Sequence, residues 1–202
     1  MNLIIRENFF LLLLLLLPIS IIVGSSISLI NIILLNFFFL MVLISQKKFN
    51  FINHISIKLI LILYLYLIFN SLISQDYSIG LSRNIGFIRI IIFFIFINYF
   101  FFHYKSDKKL LDFWSLIICV LIVDVFVEYF FDANLIGLGG KDQPYGNRIK
   151  SFFIDEPIVG AYLAGFIFLI FGYLLKRYNK KTIACTFLLI AFISVILTGE
   201  RS

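Results

Sequence analysis

Charged residues are scarce in this sequence. Asp, Glu, Lys and Arg make up only 14% of its 202 residues, whereas hydrophobic residues make up 62% and the mean hydropathy is +1.07. A soluble domain usually carries about 25% charged residues. A fold of this size could not bury so much apolar surface, so the composition excludes a soluble globular protein and predicts a protein of the lipid bilayer.

Cysteine is also rare. Cys119 and Cys185 both fall inside apolar runs, without CxxC spacing or a neighbouring histidine, which excludes a disulfide framework and a cysteine-based metal site. The formal net charge of +6 does not indicate a nucleic-acid partner, because the basic residues lie between apolar runs. We therefore expect neither a metal nor another cofactor, and no nucleic acid.

Long apolar runs, by contrast, recur along the whole chain. A bilayer core about 30 Å thick requires roughly 20 helical residues, or about 17 at the short end. Seven runs approach or meet this length, at 9–23, 27–44, 55–73, 85–102, 110–131, 158–175 and 182–198. No internal repeat, linker or soluble domain is visible. The sequence thus predicts an all-α, polytopic transmembrane helix bundle that forms one domain over residues 1–202.

The first run is the shortest of the seven and has two interpretations. Arg6, the apolar stretch after it and the small residues at 24–26 resemble a signal peptide with its cleavage site. A second apolar run follows almost at once, however. This favours an uncleaved first helix that forms a tight hairpin with the second.

The basic residues between the runs predict the orientation. With the N-terminus in the cytoplasm, eleven of the seventeen Lys and Arg residues fall on the inner side, mostly in short dense clusters. The positive-inside rule applies to such clusters. The C-terminus then lies on the outer side. Both histidines, His54 and His103, fall in inner loops, so no histidine of this chain is available as a general base on the outer side.

The longest polar interruption runs from residue 124 to residue 162 and holds six of the eleven acidic residues. Asp124, Glu128 and Asp132 are spaced i, i+4, i+8, which places them on one face of the fifth predicted helix near the outer surface. Acidic residues at membrane depth are costly and usually face a cavity or a partner. The spacing leaves open a structural pair with an arginine such as Arg89, a polar cavity wall, and a proton relay.

A second acidic pair precedes the sixth predicted helix. Pro157 suits the first position of that helix, where its missing N–H costs nothing, and Asp155 or Glu156 would then cap it. The pair is therefore either a cap or part of a site.

Three arginines on the predicted outer side are candidates for binding phosphate. A guanidinium group matches phosphate through a planar bidentate fork and stays charged at any relevant pH. Arg148 and Arg201 could together hold a lipid-borne diphosphate, and Arg83 could join them. Arg201 could equally cap the last helix, whose dipole favours a cation at its C-terminus, and Arg83 could be an interfacial anchor.

Three stretches carry a common pattern. The first, VDVFVEYFFDANLIGL, combines a helix-borne Asp with an Asn-aliphatic-x-Gly element. The second, RIKSFFIDEPIVGAYL, contains Arg148, Phe153, Asp155, Glu156, Gly160, Tyr162 and Leu163. The third, LTGERS, contains Thr198, Gly199, Glu200 and Arg201, and LSRNIGFIR is a weaker fourth. Their order, spacing and shared side of the membrane resemble the O-antigen ligase and O-antigen polymerase superfamily of bacterial inner-membrane proteins.

The chain departs from the family's pattern in places. Ser151 and Asp132 stand where the family has glycine, and Glu128 stands where glutamine is frequent. The resemblance covers the chain from about Leu81 onward. Family members continue through further helices and a large periplasmic loop, which carries a histidine thought to act as the base. We therefore expect the chain to be the N-terminal part of a longer protein and to be inactive alone.

The resemblance implies a multi-pass enzyme of the bacterial inner membrane with its site at the periplasmic face. Such an enzyme transfers or polymerises glycan from an undecaprenyl-diphosphate carrier, with lipid A-core or a growing glycan as acceptor, by a metal-independent inverting displacement. Basic residues that neutralise the leaving diphosphate would supply the electrostatic stabilisation. The implied substrate-binding residues are Arg148, Arg201, Arg83, Asp155, Glu156 and Asp124.

Two other kinds of function remain open on the sequence alone. A small secondary transporter or flippase component could use Asp124 and Glu128 to relay protons or bind a cation. That interpretation predicts a repeat between the halves and Gly/Pro-broken spans at matching positions, and neither is obvious. A membrane subunit without a catalytic site is the third interpretation, and in it the outer arginines would be replaceable.

Overall fold

The structure is a computed structural model that describes residues 3–46, 54–104, 106–137, 148–153, 158–178 and 181–199. These described residues contain no strand, and their helices are α1 (Leu3–Val23), α2 (Ser25–Gln46), α3 (Ile55–Ile73), α4 (Tyr77–Gly86), α5 (Ile88–His103), α6 (Asp107–Phe131), α7 (Val159–Tyr178) and α8 (Lys181–Leu197). Each predicted apolar run lies almost wholly in helix, and the fourth is divided between α4 and α5. The all-α prediction is confirmed.

The helices have the length and surface of membrane-spanning segments. Among the residues that the structure describes, five segments are long and apolar enough to cross a bilayer, namely Ser25–Ser45, Ile55–Ile73, Tyr77–His103, Asp107–Phe131 and Val159–Arg177. The apolar parts of α1 and α8 are shorter, at Glu7–Val23 and Lys181–Leu197. Large apolar side chains lie on the surface, including Leu65, which is 67% exposed, and Ile196, which is 76% exposed. A surface so rich in apolar side chains suits lipid and not water. This is the character of a multi-pass membrane protein, while seven spans and a cytoplasmic N-terminus stay predictions.

Helix α4 was not predicted. The sequence placed the start of the fourth run at residue 85, whereas helix begins at Tyr77 and is interrupted at Phe87. The Asn84 amide donates to the backbone oxygen of Leu67 at 3.0 Å and to the hydroxyl oxygen of Ser71 at 2.5 Å, which fastens α4 to α3. The mixed sequence YSIGLSRNIG has too few apolar residues to read as a span. Its contacts with α3 are what specify its position.

The chain packs as two compact units, of which the first comprises Met1–Leu13 and Leu29–Ser106. Its core is aromatic. The ring of Phe96, a fully buried residue, lies 5.0 Å from the ring of Phe10 and 5.4 Å from that of Phe39. Tilted aromatic pairs at this separation add to the packing of the side chains. The abundance of Phe in the sequence thus fills the spaces between α1, α2 and α5.

The second unit comprises Leu14–Ser28 and Asp107–Ser202. Helix α6 supplies the middle of its core, and Ile118, Leu121 and Val125 are fully buried at 0% exposure. Leu163 and Ile170 of α7 and Ala191 of α8 complete the same cluster. The small Ala191 lets helices approach closely, as is common where helices meet in membranes. The candidate site lies in this unit.

Pro18 in α1 is compensated by a side chain of α6. A proline inside a helix has no N–H to donate to the carbonyl four residues earlier, here that of Leu14. The indole N–H of Trp114 donates to that carbonyl oxygen at 3.0 Å. The hydroxyl of Tyr162 donates to the Pro18 carbonyl oxygen at 3.2 Å. The polar groups around the proline are therefore satisfied by α6 and α7, as a membrane environment requires.

Candidate functional site

Asp124 and Glu128 lie one turn apart on α6 and are buried, with exposures of 0% and 5%. Asp124 accepts a hydrogen bond from the backbone N–H of Leu135 at 2.7 Å and another from the Ser151 hydroxyl. Glu128 accepts from the backbone N–H groups of Lys150 at 3.2 Å and of Ser151 at 2.6 Å. We call these two carboxylates and their donors in 134–137 and 148–151 the carboxylate clamp.

The clamp joins α6 to two segments that follow it in the chain. A carboxylate taken from water without partners costs several kcal/mol, and hydrogen bonds from backbone N–H groups recover much of this cost. The acceptors on Asp124 and Glu128 are thereby occupied by structural donors. The arrangement suits the positioning of a loop better than the exchange of protons with a substrate.

Asn134 closes the turn that brings Leu135 to Asp124. Its side-chain amide donates to the Ser151 carbonyl oxygen at 2.7 Å, and its Oδ1 accepts from the Ile136 N–H at 3.1 Å. The Gly137 N–H donates to the Asn134 carbonyl oxygen at 2.9 Å, and Gly137 has a φ of 78°. An Asn at the start of a turn and a Gly at its end suit this geometry. The Asn-aliphatic-x-Gly element is therefore a turn that supports the clamp.

Two residues of this region adopt left-handed backbone conformations that usually favour glycine. Asp132 has a φ of 57° and Ser151 a φ of 51°. Such conformations are uncommon for residues other than glycine. These are the two positions at which the resembling family has glycine and this chain does not. At Ser151 the side chain offers a compensation, because its hydroxyl donates to the Asp124 carboxylate.

The segment around Arg148 is also bonded to the end of α8. The Ile149 N–H donates to the Thr198 carbonyl oxygen at 3.3 Å, and both residues are buried. Helix α8 ends beside this contact, and the following Gly199 has a φ of 65°, a common conformation just after a helix C-terminus. The described residues of the three stretches quoted above thus meet at one end of the second unit.

The aromatic positions of the second stretch belong to the core. Phe153 and Tyr162 are 4% and 7% exposed, and their rings pack edge to face with centroids 5.3 Å apart. Leu163 is fully buried. These residues hold the 148–153 segment against α7, so their part in the pattern is structural.

The predicted binding residues have the following places. Arg148 is exposed at the end of the second unit, directly before the buried Ile149. Arg83 is exposed in the last turn of α4, which belongs to the first unit, and its role beside Arg148 stays a prediction. Asp155, Glu156 and Arg201, together with the predicted cap at Pro157, lie outside the described residues.

The histidines and cysteines have no site geometry within the described part of the chain. His103 is the last residue of α5 and not a loop residue, and its ring stacks on Tyr99 with centroids 4.1 Å apart. His54 directly precedes α3. Cys119 and Cys185 are free and lie on the exposed faces of α6 and α8. No three His, Cys, Asp or Glu side chains among the described residues come together as a metal site.

A second polar group, which the sequence analysis missed, lies near the other end of α6 and α7. The hydroxyl of Tyr173 donates to an oxygen of Asp112 at 2.7 Å, and the Arg177 guanidinium pairs with that carboxylate and donates to the Tyr173 oxygen at 2.9 Å. The i, i+4 spacing of Tyr173 and Arg177 is a weak signal, because nothing in the sequence links either residue to Asp112.

The carboxylate clamp joins α6 to residues 134–137 and 148–151, and Arg148 is exposed near the end of α8. The positive charge of its guanidinium group is therefore accessible to an anionic group. The clamp supplies no free acid or base among its described residues. No known protein-family model, curated protein or solved structure matches this chain.

Proposed function

We propose that this chain forms part of a membrane glycosyltransferase that acts on glycan linked to undecaprenyl diphosphate, of the O-antigen ligase or polymerase type. One observation carries the proposal. The three stretches that resemble this family are separate in sequence, and hydrogen bonds join the second to the other two, from Ser151 to Asp124 and from Ile149 to Thr198. The left-handed φ values at Ser151 and Asp132 support the same resemblance, since glycine stands there in the family.

In the proposed reaction, an acceptor hydroxyl attacks the anomeric carbon of the carrier-linked sugar. The new C–O bond forms on the opposite face while the bond to the diphosphate oxygen breaks, so the configuration inverts. The hydroxyl proton passes to a general base, a role that the proposal does not assign to the carboxylate clamp. The leaving group is a diphosphate and needs no strong acid. The residues of this chain are assigned the binding of that diphosphate, in which Arg148 and Arg201 would stabilise the charge that develops on it.

Arg148 is the direct test of this assignment. In cells that express the gene, Arg148→Ala is expected to reduce glycan attachment by about 100-fold, which corresponds to the loss of one strong charge-stabilising contact in the transition state. Arg148→Lys keeps the charge but loses the bidentate fork, so an intermediate loss of about tenfold is expected. Lys109→Gln removes a basic charge from the start of α6 and serves as the matched control.

The assay reads glycan attachment and carrier-linked glycan together. Loss of transfer should be accompanied by accumulation of the lipid-linked substrate, with the protein present at the wild-type level in the membrane. Normal attachment in the Arg148→Ala and Arg201→Ala variants would instead favour a membrane subunit without a catalytic site. Loss of proton-coupled uptake in Asp124→Asn, with transfer intact, would favour the transporter interpretation.

A further inference from the structure

A cleft of about 540 Å³ lies between the start of α6 and the end of α7. It belongs to the second unit but not to the carboxylate clamp, which lies at the opposite end of α6. Its lining combines charged and polar residues, which we call the rim, with Leu111, Leu169 and Gly172. A cleft with this division of surfaces suits an amphipathic ligand.

Some charged residues of the rim are paired with each other, and others are free to bind a ligand. Asp112 and Arg177 neutralise each other, and Tyr173 bridges them. Lys108 and Lys176 are exposed, line the cleft, and form no ion pair with another described residue. They offer two positive charges to an anionic group.

One acidic residue of the rim remains, Asp107. It lies in the first turn of α6, where the helix dipole favours a negative charge, and Lys176 lies in the last turn of α7, where the dipole favours a positive one. The rim therefore keeps a positive balance after the Asp112–Arg177 pair is set aside.

The rest of the cleft lining is apolar. Leu111 and Leu169 line it, and Leu169 is 40% exposed. Gly172 lines it as well, and a Cβ at this position would meet nothing within 4 Å. The missing side chain leaves room along α7 for a hydrocarbon chain.

We propose that this cleft binds an anionic phospholipid, with the phosphodiester on Lys108 and Lys176 and an acyl chain along Leu111 and Leu169. Basic pockets between transmembrane helices, on the side where the positive-inside rule places lysines, suit anionic headgroups. This end of α6 and α7 is the predicted cytoplasmic end. The proposal does not depend on the transferase proposal, and either can fail alone.

Native mass spectrometry of the 202-residue chain, released from detergent, tests the proposal by counting bound lipids. Phosphatidylglycerol is expected to bind at least about fivefold more tightly than phosphatidylcholine of the same acyl chains, because choline offsets the charge of the phosphate. Lys108→Gln and Lys176→Gln should each weaken phosphatidylglycerol binding by about fivefold. Lys109→Gln, one residue away and outside the cleft lining, should leave it unchanged.

Two further measurements separate the headgroup from the acyl chain. Gly172→Phe should fill the apolar part and weaken phosphatidylglycerol binding with no change in helix content by circular dichroism. Glycerol 3-phosphate should fail to displace the lipid at equal concentration, because it has no acyl chain. The proposal is wrong if the two lipids bind equally, if Lys109→Gln loses as much as Lys108→Gln, or if glycerol 3-phosphate competes as well as the lipid.

Discussion

Ser151 has a left-handed backbone conformation. We therefore expect Ser151→Gly to be more stable than Ser151→Ala, which is the reverse of the order inside a helix. Both Ser151→Ala and Ser151→Gly remove the hydroxyl that donates to the Asp124 carboxylate. A hydrogen bond to a charged group contributes about 1.5–3 kcal/mol, so both variants should be less stable than the wild-type chain. Only glycine relieves the backbone, because a φ of 51° places the Cβ of any other residue close to a carbonyl oxygen.

The difference between the two variants follows from opposing contributions. Relief of the left-handed conformation favours Gly by about 1–2 kcal/mol. The greater freedom of Gly in the unfolded chain offsets about 0.5–1 kcal/mol of this. Ser151→Gly should therefore be more stable than Ser151→Ala by roughly 1 kcal/mol, a combination of these two ranges.

Ser194 provides the matched control. It is a buried serine in the interior of α8, and its hydroxyl donates to the Ala191 carbonyl oxygen at 2.7 Å. There the order reverses, because Gly is about 1 kcal/mol less favourable than Ala inside a helix. The free energy of unfolding of the Ala and Gly variants at positions 151 and 194 can be measured by titration with SDS in mixed micelles. If Ala is as stable as Gly at position 151, the assigned left-handed conformation is refuted. If Ser151→Ala is as stable as the wild-type chain, the contribution of the hydroxyl is refuted.

Three further predictions concern contacts that hold the helices. Trp114→Phe should cost about 1–3 kcal/mol, because it leaves the Leu14 carbonyl without a donor. The cost of Trp114→Phe should fall by about 1 kcal/mol in a Pro18→Ala background, where residue 18 supplies its own N–H. If SDS titration gives the same cost with Pro18 and with Ala at this position, the coupling is contradicted. Gly199→Ala should destabilise the end of α8 by about 1 kcal/mol in the same titration, since its φ is 65°. Asn84→Leu removes both hydrogen bonds to α3. It should raise the rate of backbone hydrogen exchange in α4 but not in α7. Unchanged exchange in α4 would show that these bonds do not hold α4 against α3.

The helices were predictable because their signal is local. Each run of Ile, Leu and Phe is long enough to satisfy its own backbone by i→i−4 bonds in lipid, so its helical state does not depend on a distant residue. Helix α4 lacked that signal, because its position comes from the contacts of Asn84 with Leu67 and Ser71. The spacing of Asp124 and Glu128 on one helix face was likewise visible in the sequence, but their partners were not.

The partners of the candidate site depend on segments that are distant in the chain. The sequence offered an arginine, a cavity and a proton relay as interpretations of Asp124 and Glu128. The observed donors are the N–H groups of Leu135, Lys150 and Ser151 and the hydroxyl of Ser151. Backbone donors carry no mark in a sequence, since every residue except proline has one.

The sequence alone determined that this chain is helical and apolar enough for a bilayer. The composition and length of an apolar run decide whether that segment of the chain is more stable in lipid than in water. The tertiary structure decided which groups meet: the carbonyl freed by Pro18 with Trp114, the Asp124 carboxylate with Ser151, and the Arg148 segment with the end of α8. Each of these contacts joins residues that helix packing brings together from separate parts of the chain. Local propensity cannot encode such contacts, because their geometry exists only after the helices have packed.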